Sequence, residues 1–145
     1  MEKIKGIMIA IFTTLSAWLG ILAVPVYILL ATNIIDYITG LMAARFRGQK
    51  ICSYKSIKGI SKKICMWLLV AVGALIDELI LYATATMGFN IPLTFVVGSF
   101  VAVWLICNEI ISILENIGDI GVERPTFLIK AIEKVKSKVE EKNEE

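Results

Sequence analysis

Histidine is absent from this chain, and cysteine and proline are scarce, with three residues of each in 145. Without histidine, the sequence lacks the commonest metal ligand and the usual general base. Cys52, Cys65 and Cys107 are odd in number and form no Cys-x-x-Cys pair, which indicates reduced, structural thiols. The sequence also has no phosphate-binding glycine loop and no nucleophile beside a base. We therefore predict no enzyme activity, no catalytic residue, no metal site and no cofactor.

Charged residues are missing from two long stretches, residues 6–35 and 79–108. Each stretch exceeds the roughly 20 helical residues that cross a hydrocarbon core of about 30 Å. The chain is 57% hydrophobic with a mean hydropathy of +0.77, which is too apolar for a water-soluble domain of this length. The sequence predicts an all-α integral membrane bundle of three to four transmembrane helices, and we expect four.

The ends of the predicted membrane-spanning helices can be placed at residues that interrupt the apolar runs. Residues 6–44 contain one charged residue, Asp36, but a single helix of that length would be nearly twice the hydrocarbon thickness. Pro25 suits the first turn of a second helix because the first turn does not use its N–H groups. The predicted helices lie near residues 5–22, 25–45, 61–82 and 91–117, within a membrane domain of residues 1–127. A cleavable signal peptide is the alternative for the first helix, but its apolar run is longer than a signal core.

Cations predict the orientation, because the loop at residues 45–63 contains seven of them and no acidic residue. By the positive-inside rule this loop is cytoplasmic, and four spans would place both termini in the cytoplasm of a bacterial cell. From Ser53 onward, apolar and cationic residues alternate as in an amphipathic helix at the inner interface, held by anionic lipid. Nucleic acid is not expected, since no reading motif is present. The predicted lipid-facing residues are Arg45, Arg47, Lys50, Lys55, Lys58, Lys62 and Lys63.

Polar residues inside the predicted spans are the candidate site. Asp36 lies near the middle of the second helix, where an ionisable residue is costly and normally faces protein or water. Spacings of three and four residues put it on one face with other polar and small residues. The predicted intramembrane polar face, which would also serve oligomerisation, consists of Asn33, Asp36, Thr39, Gly40, Asn108, Glu109, Ser112, Glu115 and Asn116.

Two interpretations of the intramembrane carboxylates remain open. In the first, they form a surface that lines water when many copies assemble, or one that senses membrane energy through protonation. In the second, they lie at the membrane interfaces, with Asp77 and Glu78 extending outward. The tail at residues 128–145 mixes Lys and Glu around Leu128, Ile132, Val135 and Val139. We expect a short amphipathic helix in a charged, solvated cytoplasmic tail, with coiled-coil pairing as the alternative.

Three ordered blocks of sequence are distinctive together. The first is Asp36-Tyr-Ile-Thr-Gly40 with Ala43 and Ala44, and the second runs from Ser53 to Lys63. The third comprises Asn108-Glu109, Ser112-Ile113, Glu115-Asn116, Gly118, Gly121 and Pro125. Over roughly residues 25–133 the chain resembles the phage holins known as toxin-secretion and phage-lysis holins, of the holin family 4 type.

The resemblance implies a small phage or prophage protein that accumulates in the bacterial cytoplasmic membrane, forms homo-oligomers and opens timed lesions. Endolysin, or a large toxin, would leave through them without stable binding. The resemblance leaves open an antiholin or a decayed prophage gene, and the physical pattern also allows a non-lytic scaffold or a small transporter subunit. One hypothesis is that Asp36 senses the membrane potential; unchanged lysis timing in Asp36→Asn would exclude it.

Overall fold

A computed structural model shows five α-helices in the part of the chain that it describes. That part comprises residues 1–49, 53–89, 91 and 94–142, without the side chains of residues 18 and 53–56. The helices are α1 (Glu2–Leu19), α2 (Ala23–Phe46), α3 (Ser53–Thr86), α4 (Val96–Asp119) and α5 (Thr126–Glu141). A 3-10 turn at Gly20–Leu22 joins α1 to α2, and no strand occurs among these residues. The predicted all-α class is confirmed.

Helix α4 is the centre of the fold, since α2, α3 and α5 all pack against it. Its side chains pair Asn116 with Asp36 and Glu109 with Lys63. Further along, Arg47 pairs with Asp119, and Gly73 lies against Gly98. These contacts together show that α2 runs parallel to α4, and that α3 runs antiparallel to both. A chain that crosses a membrane three times alternates in this way. The apolar core lies where α2, α3 and α4 meet, around residues such as Leu29, Met66 and Leu105.

Three helical segments are long and apolar enough to cross a membrane: Gly20–Phe46, Ile57–Thr86 and Val96–Asp119. This confirms a membrane bundle at the lower end of the predicted three to four spans. Helix α1 is not among the three, because Glu2, Lys3 and Lys5 are charged within its 18 residues. A fourth span through α1 stays a prediction.

The break between α1 and α2 occurs where the sequence predicts it. Gly20 adopts a φ of 51°, a left-handed conformation that glycine accepts without a steric penalty. Pro25 lies in the first turn of α2, where its missing N–H has no consequence. Helix α1 contacts α2 near this turn, where the rings of Phe12 and Tyr27 stack at 4.7 Å. Most apolar side chains of α1 are exposed, as a lipid-facing helix requires.

Helix α3 is longer than expected. It begins at Ser53 and continues for 34 residues, so the predicted interfacial helix and the predicted third span form one continuous helix. The alternation of cationic and apolar residues after Ser53 is equally compatible with the first turns of a long helix. Residues 50–52, and the side chain of Lys55, lie outside the described part of the chain.

The tail forms helix α5. It packs with one side along α4, where Val139 is only 7% exposed. The Trp104 indole Nε1 donates a hydrogen bond of 2.9 Å to Glu140 Oε1. Contact with α4 therefore covers Val139 and part of Ile132, whereas Phe127, Leu128 and Val135 stay exposed. The predicted short amphipathic helix is therefore present, and most of its side chains are exposed. The cytoplasmic location of the tail at residues 128–145 stays a prediction, and residues 143–145 lie outside the described part.

Candidate functional site

Lys63 of α3 is the centre of an ion cluster between three helices. Its Nζ donates to Asp36 Oδ2 of α2 at 2.9 Å, to Asn33 Oδ1 at 3.3 Å, and to Glu109 Oε2 of α4. The side chains of Lys63, Asp36 and Glu109 are only 17%, 16% and 4% exposed. One ammonium group thus joins two carboxylates inside the bundle, and each of the three spanning helices contributes one charge. We call these three residues, with Asn33, the ion cluster.

A second group of polar contacts extends the ion cluster toward one end of the bundle. Asn116 Nδ2 donates to Asp36 Oδ1 at 3.2 Å and to Thr39 Oγ1 at 3.4 Å. Asn116 Oδ1 in turn accepts a hydrogen bond of 3.2 Å from Arg47 Nη2, and Arg47 forms an ion pair with Asp119. The network therefore runs continuously from Glu109 to the ends of α2 and α4.

The ion cluster has a formal charge of −1, since Lys63 is opposed by Asp36 and Glu109. Removing ions from water is costly, and attraction within a buried pair offsets this cost only when the geometry is good and hydrogen bonds are added. Here the two carboxylates share one ammonium, and Asn116 adds a donor to Asp36. Loss of Lys63 would leave two buried carboxylates opposed by no cation within the cluster.

Of the predicted polar face, the structure brings together five residues: Asn33, Asp36, Thr39, Glu109 and Asn116. Gly40 lies under Asn116, whose Nδ2 would be 3.6 Å from an added Cβ. Asn108 and Ser112 are half-buried and Glu115 is exposed. Among the described hydrogen bonds, none joins these last three to the cluster.

Two predicted lipid-facing cations have other environments. Lys63 turns inward to Asp36 and Glu109, and Arg47 binds Asp119 and Asn116. A carboxylate partner within reach outweighs contact with lipid headgroups for both side chains. Arg45, Lys58 and Lys62 are exposed, as a lipid-facing or solvated cation requires. Lys50 and the side chain of Lys55 lie in the part that is not described.

The inward position of Lys63 has a signal in the sequence. Lys63, Met66, Val70, Gly73 and Asp77 recur every three or four residues, which puts them on one face of α3. Apart from Lys63, which is half-buried, every member of this face is buried against the other helices. Lys63 also belongs to the acid-free cationic loop, whose composition predicts a lipid-facing side chain instead.

Asp77 caps α4 from a neighbouring helix. Its Oδ1 accepts from Val97 N–H at 2.9 Å, and its Oδ2 accepts from Gly98 N–H at 2.7 Å. These N–H groups belong to the first turn of α4, where no intrahelical acceptor exists and a negative charge is favoured. Asp77 is 5% exposed, so of the two open interpretations the outward extension does not apply to it, whereas Glu78 is exposed.

A close contact between α3 and α4 makes this cap possible. An added Cβ on Gly73 would lie 2.9 Å from the Cα of Gly98, so only glycine allows the two backbones to approach this closely.

The described residues do not include a cluster of three or more His, Cys, Asp or Glu side chains that could hold a metal. The arrangement therefore supports helix association and charge pairing inside a membrane bundle.

Comparisons with known proteins agree with this picture. The model of the bacteriophage holin family matches residues 13–137. A probable holin of Bacillus phage phi105 is 32% identical over 117 residues, which cover 81% of this chain and 78% of that protein. An uncharacterized protein of Halalkalibacterium halodurans is 36% identical over 105 residues, covering 72% and 73% of the two chains.

An uncharacterized protein of Clostridium perfringens is 30% identical over 126 residues, which cover 86% of this chain and 85% of that protein. No solved structure matches the chain significantly. The family match includes all three membrane-spanning helices, the ion cluster and most of α5. The chain is therefore an integral membrane protein that belongs to the bacteriophage holin family.

Proposed function

We propose that this protein is a non-enzymatic holin that oligomerises in the bacterial cytoplasmic membrane and opens timed lesions through which endolysin or a large toxin leaves. The observation that carries the proposal is the family match over residues 13–137, which includes the three spanning helices and the ion cluster. Opening a membrane requires helices that are stable in lipid, and it requires no catalytic residue. Homology to a probable phage holin supports the same role.

The ion cluster would hold the protein in a closed form before lysis. Each spanning helix contributes one charge to it, and each charge has a partner within the same chain. The charges of the cluster are compatible with a bilayer because they are not presented to lipid. The buried pairs fix the register of α2, α3 and α4 relative to one another. Delayed lysis requires a closed form of this kind.

The orientation that supports this function has the basic end of the bundle in the cytoplasm. We define the basic end by Arg45 and Arg47 at the end of α2 and by Lys58 and Lys62 near the start of α3. Cations next to the ends of spanning helices are retained on the cytoplasmic side. The α3–α4 connection then faces outward, and a membrane-spanning α1 would return the N-terminus to the cytoplasm. Anionic lipid would contact the exposed cations.

The test is controlled expression in a bacterium that also holds a cytoplasmic endolysin, while culture turbidity and released enzyme are followed. Endolysin alone is the control. We expect turbidity to stay constant for a delay and then to fall abruptly as the endolysin is released. Correct membrane insertion without release, even after an energy poison is added, would contradict the proposal and indicate a scaffold, an antiholin or a small transporter subunit.

A further inference from the structure

Helix α5 carries its charges alongside a membrane-spanning helix. It starts near the basic end of the bundle, where Thr126 and Ile129 line a surface pocket together with Gly118 of α4. It reaches the opposite end, where Val139 lines a second pocket together with Ser99 of α4 and Ile21. Trp104, the partner of Glu140, is about 22 Å from the basic end of α4 at roughly 1.5 Å per residue. In this position α5 lies within the depth that α4 crosses.

The two faces of α5 differ in chemistry. The inner face packs on α4 through Ile132 and Val139, and the Lys136 ammonium lies 5.6 Å from the centroid of the Trp104 ring. The outer face carries charged side chains at helical spacing, all of them exposed, together with the exposed Phe127 of its first turn. The charged outer residues are Lys130, Glu133, Lys134, Lys138 and Glu141.

A charged face of this kind cannot remain against lipid hydrocarbon, where ionised side chains are costly and turn toward protein or water. A single copy surrounded by lipid offers no water at this depth, so α5 can keep its place on α4 only when several copies enclose water. The ion cluster does not face this water in the described arrangement, because its charges are paired within the bundle. The outer face of α5 is a charged surface at that depth which the described arrangement leaves exposed.

We propose that the outer face of α5 lines the water-filled interior of the open assembly, with α5 packed on α4 as described. This inference rests on the proposed holin function and adds the lining surface to it. In a lone copy within the bilayer, α5 leaves α4 for the cytoplasm, and the hinge is the segment between Asp119 and Thr126. Gly121 in that segment adopts a φ of 98°, which favours glycine.

The first arm of the test locks α5 on α4. Ser99→Cys with Val139→Cys is made in a background without the three native cysteines, because both side chains line one cavity between α4 and α5. Formation of the disulfide is verified by gel mobility before release is measured. Ser99→Cys with Ser137→Cys is the matched control, since Ser137 is exposed. Each protein is reconstituted into liposomes that contain fluorescent endolysin, and release is compared after oxidation and after reduction. We expect the oxidised 99/139 pair to release at least half as much enzyme as its reduced form.

The second arm identifies what the outer face contacts. An environment-sensitive fluorophore is attached at Lys134→Cys in the locked protein, after its disulfide has formed, and at Leu75→Cys on the exposed side of α3. We expect iodide to quench the label at position 134 and nitroxide lipids to quench the label at position 75. Quenching at position 134 by nitroxide lipids, or by neither agent, would overturn the inference.

The two arms separate the inference from the function on which it rests. Loss of release on oxidation, with recovery on reduction, would show that α5 must leave α4 for opening and would overturn the inference alone. Absence of release from every protein, including the unsubstituted chain, would overturn the proposed holin function and the inference with it.

Discussion

The ion cluster and the outer face of α5 are both rich in charge, yet the structure treats them in opposite ways. The charges of Asp36, Lys63 and Glu109 are turned inward and paired between helices, whereas those along α5 are exposed. The first arrangement makes a bundle compatible with lipid, and the second is compatible only with water or headgroups. The compatibility of a helix with lipid therefore depends less on its total charge than on the direction in which each charged side chain points.

Loss of Lys63 should give the largest effect on the stability of the cluster. In Lys63→Met, two buried carboxylates lose their shared cation, and breaking a buried pair from one side costs about 3–5 kcal/mol. The free energy of unfolding in detergent micelles measures this loss. Lys62→Met is the matched control. Lys62 is the exposed neighbour of Lys63, so its loss should change the free energy of unfolding by less than about 0.5 kcal/mol. Equal effects of the two substitutions would contradict the inward position of Lys63.

The glycine contact beside the Asp77 cap should give the next effect. A methyl group on Gly73 would meet the backbone of Gly98 at 2.9 Å, so Gly73→Ala must push α3 and α4 apart at a cost of about 1–3 kcal/mol. Gly59→Ala is the control, since no atom lies within 4 Å of its added Cβ and alanine favours the helix. Unfolding in micelles compares the two. A Gly73→Ala protein as stable as the parent would exclude the close contact.

Removal of the Asp77 cap should have a somewhat smaller effect. Asp77→Ala leaves the N–H groups of Val97 and Gly98 without their acceptor, and loss of a helix cap costs about 0.5–2 kcal/mol. Hydrogen exchange of these two amides should accelerate before global unfolding. The exposed Glu78→Ala is the matched control and should leave both amides protected. Faster exchange in both variants, or in neither, would argue against the cap.

The Arg47–Asp119 pair should contribute least and should depend on salt. Its side chains are 37% and 45% exposed, and pairs this open contribute at most about 1 kcal/mol. Arg47→Gln is therefore expected to lower stability slightly at low ionic strength and hardly at all in about 1 M salt, where charges are screened within about 3 Å. Unfolding at the two salt concentrations, with Arg45→Gln as the control, measures the difference. A loss that persists in high salt would indicate a buried pair instead.

Much of the helical framework can be predicted from the sequence, because long apolar runs have few alternatives in a membrane. Pro25 marks the start of the second helix to within two residues. The polar face of α2 can also be predicted from the sequence, since Asn33, Asp36 and Thr39 follow the helical period. All three take part in the polar network of the structure. Periodicity identifies which residues share a face of one helix.

Contacts between helices are harder to predict, because the spacing of residues along one helix does not identify which other helix its face contacts. Lys63 belongs to a cationic segment by sequence but to the buried stripe of α3 by position. Asp77 caps a helix that begins 19 residues later, after a connection whose path the sequence does not define. The apolar stripe of α5 likewise fits a coiled coil as well as it fits α4. Tertiary packing decides each of these cases.

A double-mutant cycle between Lys63 and Glu109 tests most directly whether the charges are paired inside the bundle. The free energy of unfolding in micelles is measured for the parent, Lys63→Met, Glu109→Gln and the double variant, with Lys62→Met replacing Lys63→Met in a parallel cycle. We predict a coupling of about 0.5–3 kcal/mol in the first cycle, as for residues in contact, and none in the second. Additive effects in both cycles would contradict the ion cluster and return Lys63 to the lipid-facing surface.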